Sequence, residues 1–209
     1  MPSFLMDGPE GVQCTLLLAH GAGAPMDSGW MNDMAALFAA QGIRVARFEF
    51  GYMAARRQGQ RKPPPRAESI TGEYLAAVEA LSNQGEVRGK LFIGGKSLGG
   101  RVASMVAGRL FAEERIAGLV CLGYPFHPPG QPEKLRTGHL KELSVPTLMC
   151  QGTRDPFGTQ EEVAGYGLPA SITVHWLDDG DHDFKPRKPL TLRTNQEDTA
   201  SAVAAFASR

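Results

Sequence analysis

The chain alternates between short apolar runs and longer stretches in which apolar residues return every three or four positions. Thr15-Leu16-Leu17-Leu18-Ala19 is apolar without alternation, the pattern of a strand covered on both faces. Residues 116–123 and 145–152 read the same way. Residues 43–50 alternate in part, and Leu91-Phe92-Ile93 and 172–177 are shorter strand candidates. Between the strands, Met31, Met34, Leu37 and Phe38 recur at helical spacing until Gly42 stops them, with Asp27 or Ser28 placed to cap the start. Ile70, Tyr74, Leu75, Val78 and Leu81 share a second helical face, and a third helix runs from Leu98 through Met105, Val106 and Leu110. Residues 135–143 and 161–166 predict shorter helical pieces, and Val203 and Phe206 lie on one side of a last helix over 198–207. Strands separated by crossover helices pair in parallel. The expectation is an α/β fold, a doubly wound, mostly parallel sheet of about six strands in one domain spanning 1–209. Only Phe4-Leu5-Met6 could add a strand, so little or no antiparallel edge is expected.

One segment breaks the alternation. Residues 51–66 carry Arg56, Arg57, Arg61, Lys62 and Arg66, no acid, and Pro63-Pro64-Pro65, which forbids regular structure. A long, basic, exposed connection is expected, read first as a solvated loop. Because it follows the carboxyl end of a strand, the alternative is that it overhangs a pocket and attracts an anionic acyl group or a phosphate-bearing carrier.

Composition adds limits. The 209 residues hold 22 Lys plus Arg against 22 Asp plus Glu, a balance that argues against a nucleic-acid or membrane-surface protein and for a small-molecule partner. Cys14, Cys121 and Cys150 each sit in a strand-like run with no metal-ligand spacing, and neither a metal nor another cofactor is expected. The segment from Met1 to Asp7 lacks the basic and apolar regions of a leader, and no apolar run approaches about 18 residues, so a cytoplasmic setting is expected.

Candidate chemistry collects in the loops after the strands, where open parallel sheets bind ligands. Ser97 lies in Gly94-Gly95-Lys96-Ser97-Leu98-Gly99-Gly100-Arg101, between a strand and a helix. Gly95 and Gly99, two residues to either side, allow a tight turn that presents the hydroxyl, and the helix N-terminus behind it favours negative charge. A serine is a poor nucleophile until a base takes its proton. His182 follows the final strand in Gly180-Asp181-His182, whereas His175 lies within that strand, His127 and His139 in a proline-rich excursion, and His20 before a small-residue loop. Asp155, which could otherwise begin a turn with Pro156, is placed to orient the imidazole; Asp181 and Asp183 flank His182 too closely. The chain order serine, aspartate, histidine is that of the α/β-hydrolase arrangement.

On these residues the chain resembles compact, lidless α/β-hydrolases close to the dienelactone-hydrolase-like proteins. The resemblance covers nearly the whole length and is carried by His20-Gly21-Ala22-Gly23, Gly95 to Gly99, Gly152-Thr153-Arg154-Asp155 and Gly180-Asp181-His182. Gly123-Tyr124-Pro125-Phe126-His127-Pro128 and Gly152 to Gly158 further resemble a group of small predicted hydrolases related to a testis-expressed protein and a chromatin-complex subunit. That group implies a mechanism and little about substrate.

The reading is a serine hydrolase of carboxylesterase or thioesterase type, acylated on Ser97, with His182 as base and then acid and Asp155 holding its tautomer. A tetrahedral oxyanion needs two backbone N–H donors; Leu98 supplies one, and Ala22 or Gly23 the other. His20 is read as a brace for that loop. Lys96 and Arg101 flank the serine and are read as solvated or ion-paired, with substrate contact as the alternative. Tyr52, Tyr124, Phe126 and Phe157 are candidates for an apolar pocket wall. With no insertion long enough for a helical lid, the pocket is expected to be open. Two other functions use the same fold: a binding or assembly module with an idle triad, and an acyltransferase with an acceptor other than water.

Overall fold

The computed structural model describes residues 2–188 and 192–209; Met1, at the head of the segment read for a leader, lies outside them. A seven-stranded sheet runs through the molecule in the order β1-β3-β2-β4-β5-β6-β7. The strands are β1 (Phe4–Asp7), β2 (Cys14–Ala19), β3 (Arg44–Phe48), β4 (Lys90–Lys96), β5 (Gly118–Leu122), β6 (Thr147–Gly152) and β7 (Ile172–Leu177). Six are parallel, and β1 pairs antiparallel with β3, Phe4 opposite Phe48 and Asp7 opposite Val45. The expected mostly parallel sheet of about six strands, with little or no antiparallel edge, is thus seven strands with one short antiparallel edge strand. The short N-terminal run covers backbone groups that β3 would otherwise leave open, and Asp7 pairs with the buried Arg47 at 2.9 Å.

The helices are α1 (Gly29–Ala40), α2 (Gly51–Arg57), α3 (Thr71–Asn83), α4 (Leu98–Ala112), α5 (Gln160–Ala164) and α6 (Leu192–Ala207). Every residue of β2, β3, β5 and β6 is buried, as unalternating runs require, because helices cover both faces. Leu16 and Leu18 point to the α1 and α6 side, with Met31, Met34, Phe38 and Val203. Leu17 and Ala19 point to the α3 and α4 side, with Tyr74, Val78, Val102 and Leu110. Ser28 is the N-cap residue of α1, although its hydroxyl makes no capping bond.

Residues 51–66 also differ from expectation. Their first seven form α2, with Arg56 and Arg57 in the last turn, where cations suit the helix dipole. Tyr52 and Met53 bury against the sheet, and Arg57 pairs with Asp27 at 2.5 Å and Glu49 at 2.7 Å. Only residues 60–66, around the prolines, remain irregular. Strand order reverses between β2 and β4: β3 lies to one side of β2, while β4, β5, β6 and β7 build out on the other. The loops after β2 and β4, carrying His20 to Ala24 and Ser97, therefore meet at the switch point where such sheets form a crevice.

Candidate active site

Ser97 has φ 49° and ψ −111°, a backbone conformation rare for a residue with a side chain, and it stands between the last residue of β4 and the first of α4. Its N–H donates to Leu122 O at 2.9 Å, which ties the turn to β5. A methyl group at Gly99 would stand 2.6 Å from Ala19 O and 2.7 Å from His20 O; one at Gly95 would meet Gly99 C at 2.5 Å. Both glycines are thus required by close backbone approach. Leu98 opens α4, so its N–H has no partner within the helix.

The loop after β2 is fixed from beneath. His20 is buried; Phe50 N–H donates to its Nε2 at 3.1 Å, so Nδ1 carries the proton and donates to Gly21 O at 2.7 Å. Burial pushes this imidazole below the usual histidine range, which keeps it neutral. The Tyr52 hydroxyl lies 3.2 Å from both Gly21 O and Ala22 O, and burial raises its pKa to about 12. Tyr52 therefore braces the loop's carbonyls and does not line the cavities at Ser97, contrary to its place among the wall candidates.

Asp155 is fully buried after β6, and His182 follows β7; His182 Nδ1 and Asp155 Oδ2 are 2.8 Å apart. The carboxylate also accepts from Phe157 N–H at 2.9 Å and from Gln151 Nε2 at 2.9 Å. Gln151 is itself locked: Tyr124 N–H donates to its Oε1 at 2.7 Å, and its Nε2 also reaches Tyr124 O and Gly158 O at 3.2 Å. The Phe157 ring packs on the His182 ring with centroids 4.3 Å apart. Asp181 accepts from the N–H groups of Asp183 and Lys185, both at 2.9 Å, and so shapes the loop without touching the imidazole. Among the described residues the Ser97 hydroxyl makes no hydrogen bond; it shares a cavity of about 380 Å³ with His182.

Lys96 and Arg101 behave differently from each other. Lys96 is buried, its Nζ donating to His182 O and pairing with Asp183 at 3.1 Å. It also lies 5.2 Å from the centre of the Trp30 ring and 5.8 Å from that of Phe184. Burial lowers its pKa, with Asp183 acting against that shift. It is ion-paired, as read, but not solvated: it anchors the loop that carries His182. Arg101 pairs with Glu68 at 2.6 Å at the edge of a second cavity.

That second cavity, about 610 Å³, takes in Ser97, Ala22, Leu98 and Phe157 together with Pro64, Pro65 and Arg66 of the basic connection. Part of that segment thus lines the same cavity as the serine. Phe157, Lys96 and Arg101 line the two cavities, whereas Tyr124 and Phe126 are fully buried core residues. The Tyr124 hydroxyl donates to Arg136 O at 3.1 Å.

Sequence reasoning passed over Gln151, Trp30 and Gly123. Trp30 Nε1 donates to Asp183 O at 3.0 Å. Gly123 has φ +64°, and a methyl group there would meet His182 O at 3.0 Å and Lys96 Nζ at 3.1 Å. A signal existed for one of them: Gln151 is a polar position inside an otherwise mostly apolar, fully buried strand.

A family model described as an alpha/beta hydrolase domain matches residues 12–208, so the chain belongs to that family. Solved structures agree on the fold. A lidless serine hydrolase from Xanthomonas campestris is 20% identical with a TM-score of 0.65, covering 97% of this chain and 94% of its own. Dienelactone hydrolase from Anabaena variabilis is 19% identical with a TM-score of 0.73, covering 98% and 96%. The esterase domain of a Rhodothermus marinus protein is 17% identical with a TM-score of 0.67, covering 98% and 92%. The fold is thus a compact α/β-hydrolase without a lid. No helix among the described residues is long and apolar enough to cross a membrane.

Proposed function

We propose that this chain, acting as one domain over residues 1–209, is a serine hydrolase that cleaves a small-molecule ester or thioester through an acyl-enzyme on Ser97. The observation that carries the reading is the 2.8 Å contact between His182 Nδ1 and the fully buried side chain of Asp155. A carboxylate only accepts, so Nδ1 holds the proton and the lone pair of Nε2 is free toward the cavity shared with Ser97. Nε2 takes the hydroxyl proton as Ser97 Oγ bonds to the substrate carbonyl carbon. The carbonyl oxygen becomes an oxyanion held by the N–H of Leu98 and that of Ala22. Ala22 is preferred to Gly23 because it borders both cavities at Ser97, whereas Gly23 borders one. The imidazolium, stabilised by Asp155, then gives its proton to the departing alcohol or thiol. Water repeats the sequence and releases the acid. Three free, buried cysteines are compatible with a reducing, cytoplasmic setting.

The test is labelling with a fluorophosphonate followed by peptide mapping, alongside a panel of esters and thioesters. Modification of Ser97, lost in His182→Ala with the protein still folded, is the expected result. Absence of labelling and turnover in folded protein would sink the reading in favour of a binding module, and product analysis with added alcohols separates hydrolysis from acyl transfer.

A further inference from the structure

The two cavities that meet at Ser97 differ in chemistry. The smaller holds His182 and Lys96 with Trp30 and Met31; the larger holds neither His182 nor Lys96. Its wall instead carries three guanidinium groups, Arg66, Arg101 and Arg136, against one carboxylate, Glu68. Three cations less one anion leave two positive charges without a counter-charge in that wall. The chain as a whole balances 22 against 22, so the excess is a local arrangement.

Elsewhere the less exposed arginines are paired, Arg44 with Glu86 and Arg47 with Asp7. Here Arg101 pairs with Glu68, and its Nε, like that of Arg44, is buried without a hydrogen-bond partner. Among the described residues neither Arg66 nor Arg136 forms an ion pair. Arg136 is nevertheless held in place: its N–H donates to Phe126 O at 2.7 Å, and its carbonyl accepts from the Tyr124 hydroxyl. Burial, then the charge of Arg101, push its guanidinium below the ordinary arginine range. Like charges held together at a partly desolvated wall are relieved by an anion between them, and guanidinium forks match carboxylate geometry.

The catalytic cycle decides which half of the substrate enters. The imidazole must reach the departing oxygen or sulfur, so the leaving group lies in the cavity containing His182. The acyl chain then extends into the other. Resting on the hydrolase reading above, we propose that the substrate's acyl group carries a distal anion, as in a half-ester or half-thioester of a short dicarboxylic acid. Arg101, Arg136 and Arg66 hold that anion while an uncharged leaving group lies against Trp30 and Met31.

The experiment compares kcat/KM for p-nitrophenyl hemiglutarate with that for the neutral p-nitrophenyl pentanoate, and for 4-acetoxybenzoate with that for phenyl acetate. A preference of about 10- to 100-fold is expected for the hemiglutarate, the range of one or two charge-assisted hydrogen bonds, with none for the anionic leaving group. The preference should collapse in Arg136→Gln, shrink in the exposed Arg66→Gln, and persist in Arg109→Gln at the solvent-exposed far end of α4. Equal rates for the first pair, a preference that survives Arg136→Gln, or one for 4-acetoxybenzoate would overturn the proposal. Fluorophosphonate labelling of Ser97 tests the hydrolase reading separately. Were labelling to fail, calorimetry with glutarate against glutaramide still reads the cavity: binding of glutarate alone, lost in Arg136→Gln, supports an anion site, and no discrimination refutes it.

Discussion

The serine turn and the histidine loop stand side by side and are held in opposite ways. Around Ser97 the geometry comes from backbone: Gly95 and Gly99 let β4, α4 and the end of β2 approach to distances no side chain would permit. Around His182 it comes from side chains of distant segments, with Lys96 on its carbonyl, Gln151 behind Asp155 and Trp30 on Asp183. A turn made of backbone contacts has no soft adjustment, so a change there disrupts structure. A loop held by several polar side chains can lose one and remain folded while its imidazole drifts. The contrast predicts that stability and activity respond separately at the two places.

The largest effects belong to the turn. Ser97→Ala should remove roughly four to six orders of magnitude of turnover with little loss of stability, as expected for a nucleophile in a concerted unit. Ser97→Gly should be equally inactive but more stable than Ser97→Ala, by about 1 kcal/mol in urea denaturation, because glycine accepts φ 49° without strain. If the two variants unfold at the same urea concentration, the backbone at Ser97 is not strained. Gly99→Ala should cost about 2–3 kcal/mol and abolish labelling, since its methyl group meets two carbonyl oxygens on rigid backbone.

Next in size are the side chains that hold the histidine loop. Lys96→Met keeps the volume of a buried stem but loses the bond to His182 O and the pair with Asp183. Turnover should fall about 10- to 100-fold, the scale of a reacting group misplaced by about 1 Å, while stability changes by less than about 1 kcal/mol, because removing a buried cation also removes its desolvation cost. A parallel fall in stability and activity would mean that Lys96 is simply a packing residue.

The smallest effect concerns pH. Burial pushes His20 below the usual histidine value, and burial, then the charge of Arg101, do the same to His139. As pH falls the unfolded chain therefore takes up these protons first. Stability from this source is complete above about pH 6.5 and is lost as pH drops toward the lowered folded-state values. Urea midpoints measured from pH 8 to 5 should decline, and His139→Asn should flatten the decline; an unchanged slope would remove His139 from the account.

Much of this molecule was legible in the chain. Unalternating apolar runs forced strands covered on both faces, and helical spacing between them forced parallel crossovers. Serine, aspartate and histidine candidates in that order after successive strands pointed to one edge of one sheet, because parallel strands all end on the same side. Pairing β1 with β3 was not legible, since four residues carry too little pattern to say whether an open edge will be covered. The helix in residues 51–57 was hidden behind a basic, proline-ended composition, although Tyr52 and Met53 had apolar faces to bury. Local spacing requires Gly95 and Gly99 but cannot reveal that Lys96, one residue before the serine, meets His182 O, 86 residues further along the chain. Nor can it place Arg66, Arg101 and Arg136, from three separate segments, around one cavity. Period and order are written locally, because they follow from the geometry of a strand or a helix. Partners across the sheet depend on how whole layers stack, and only the folded chain decides them.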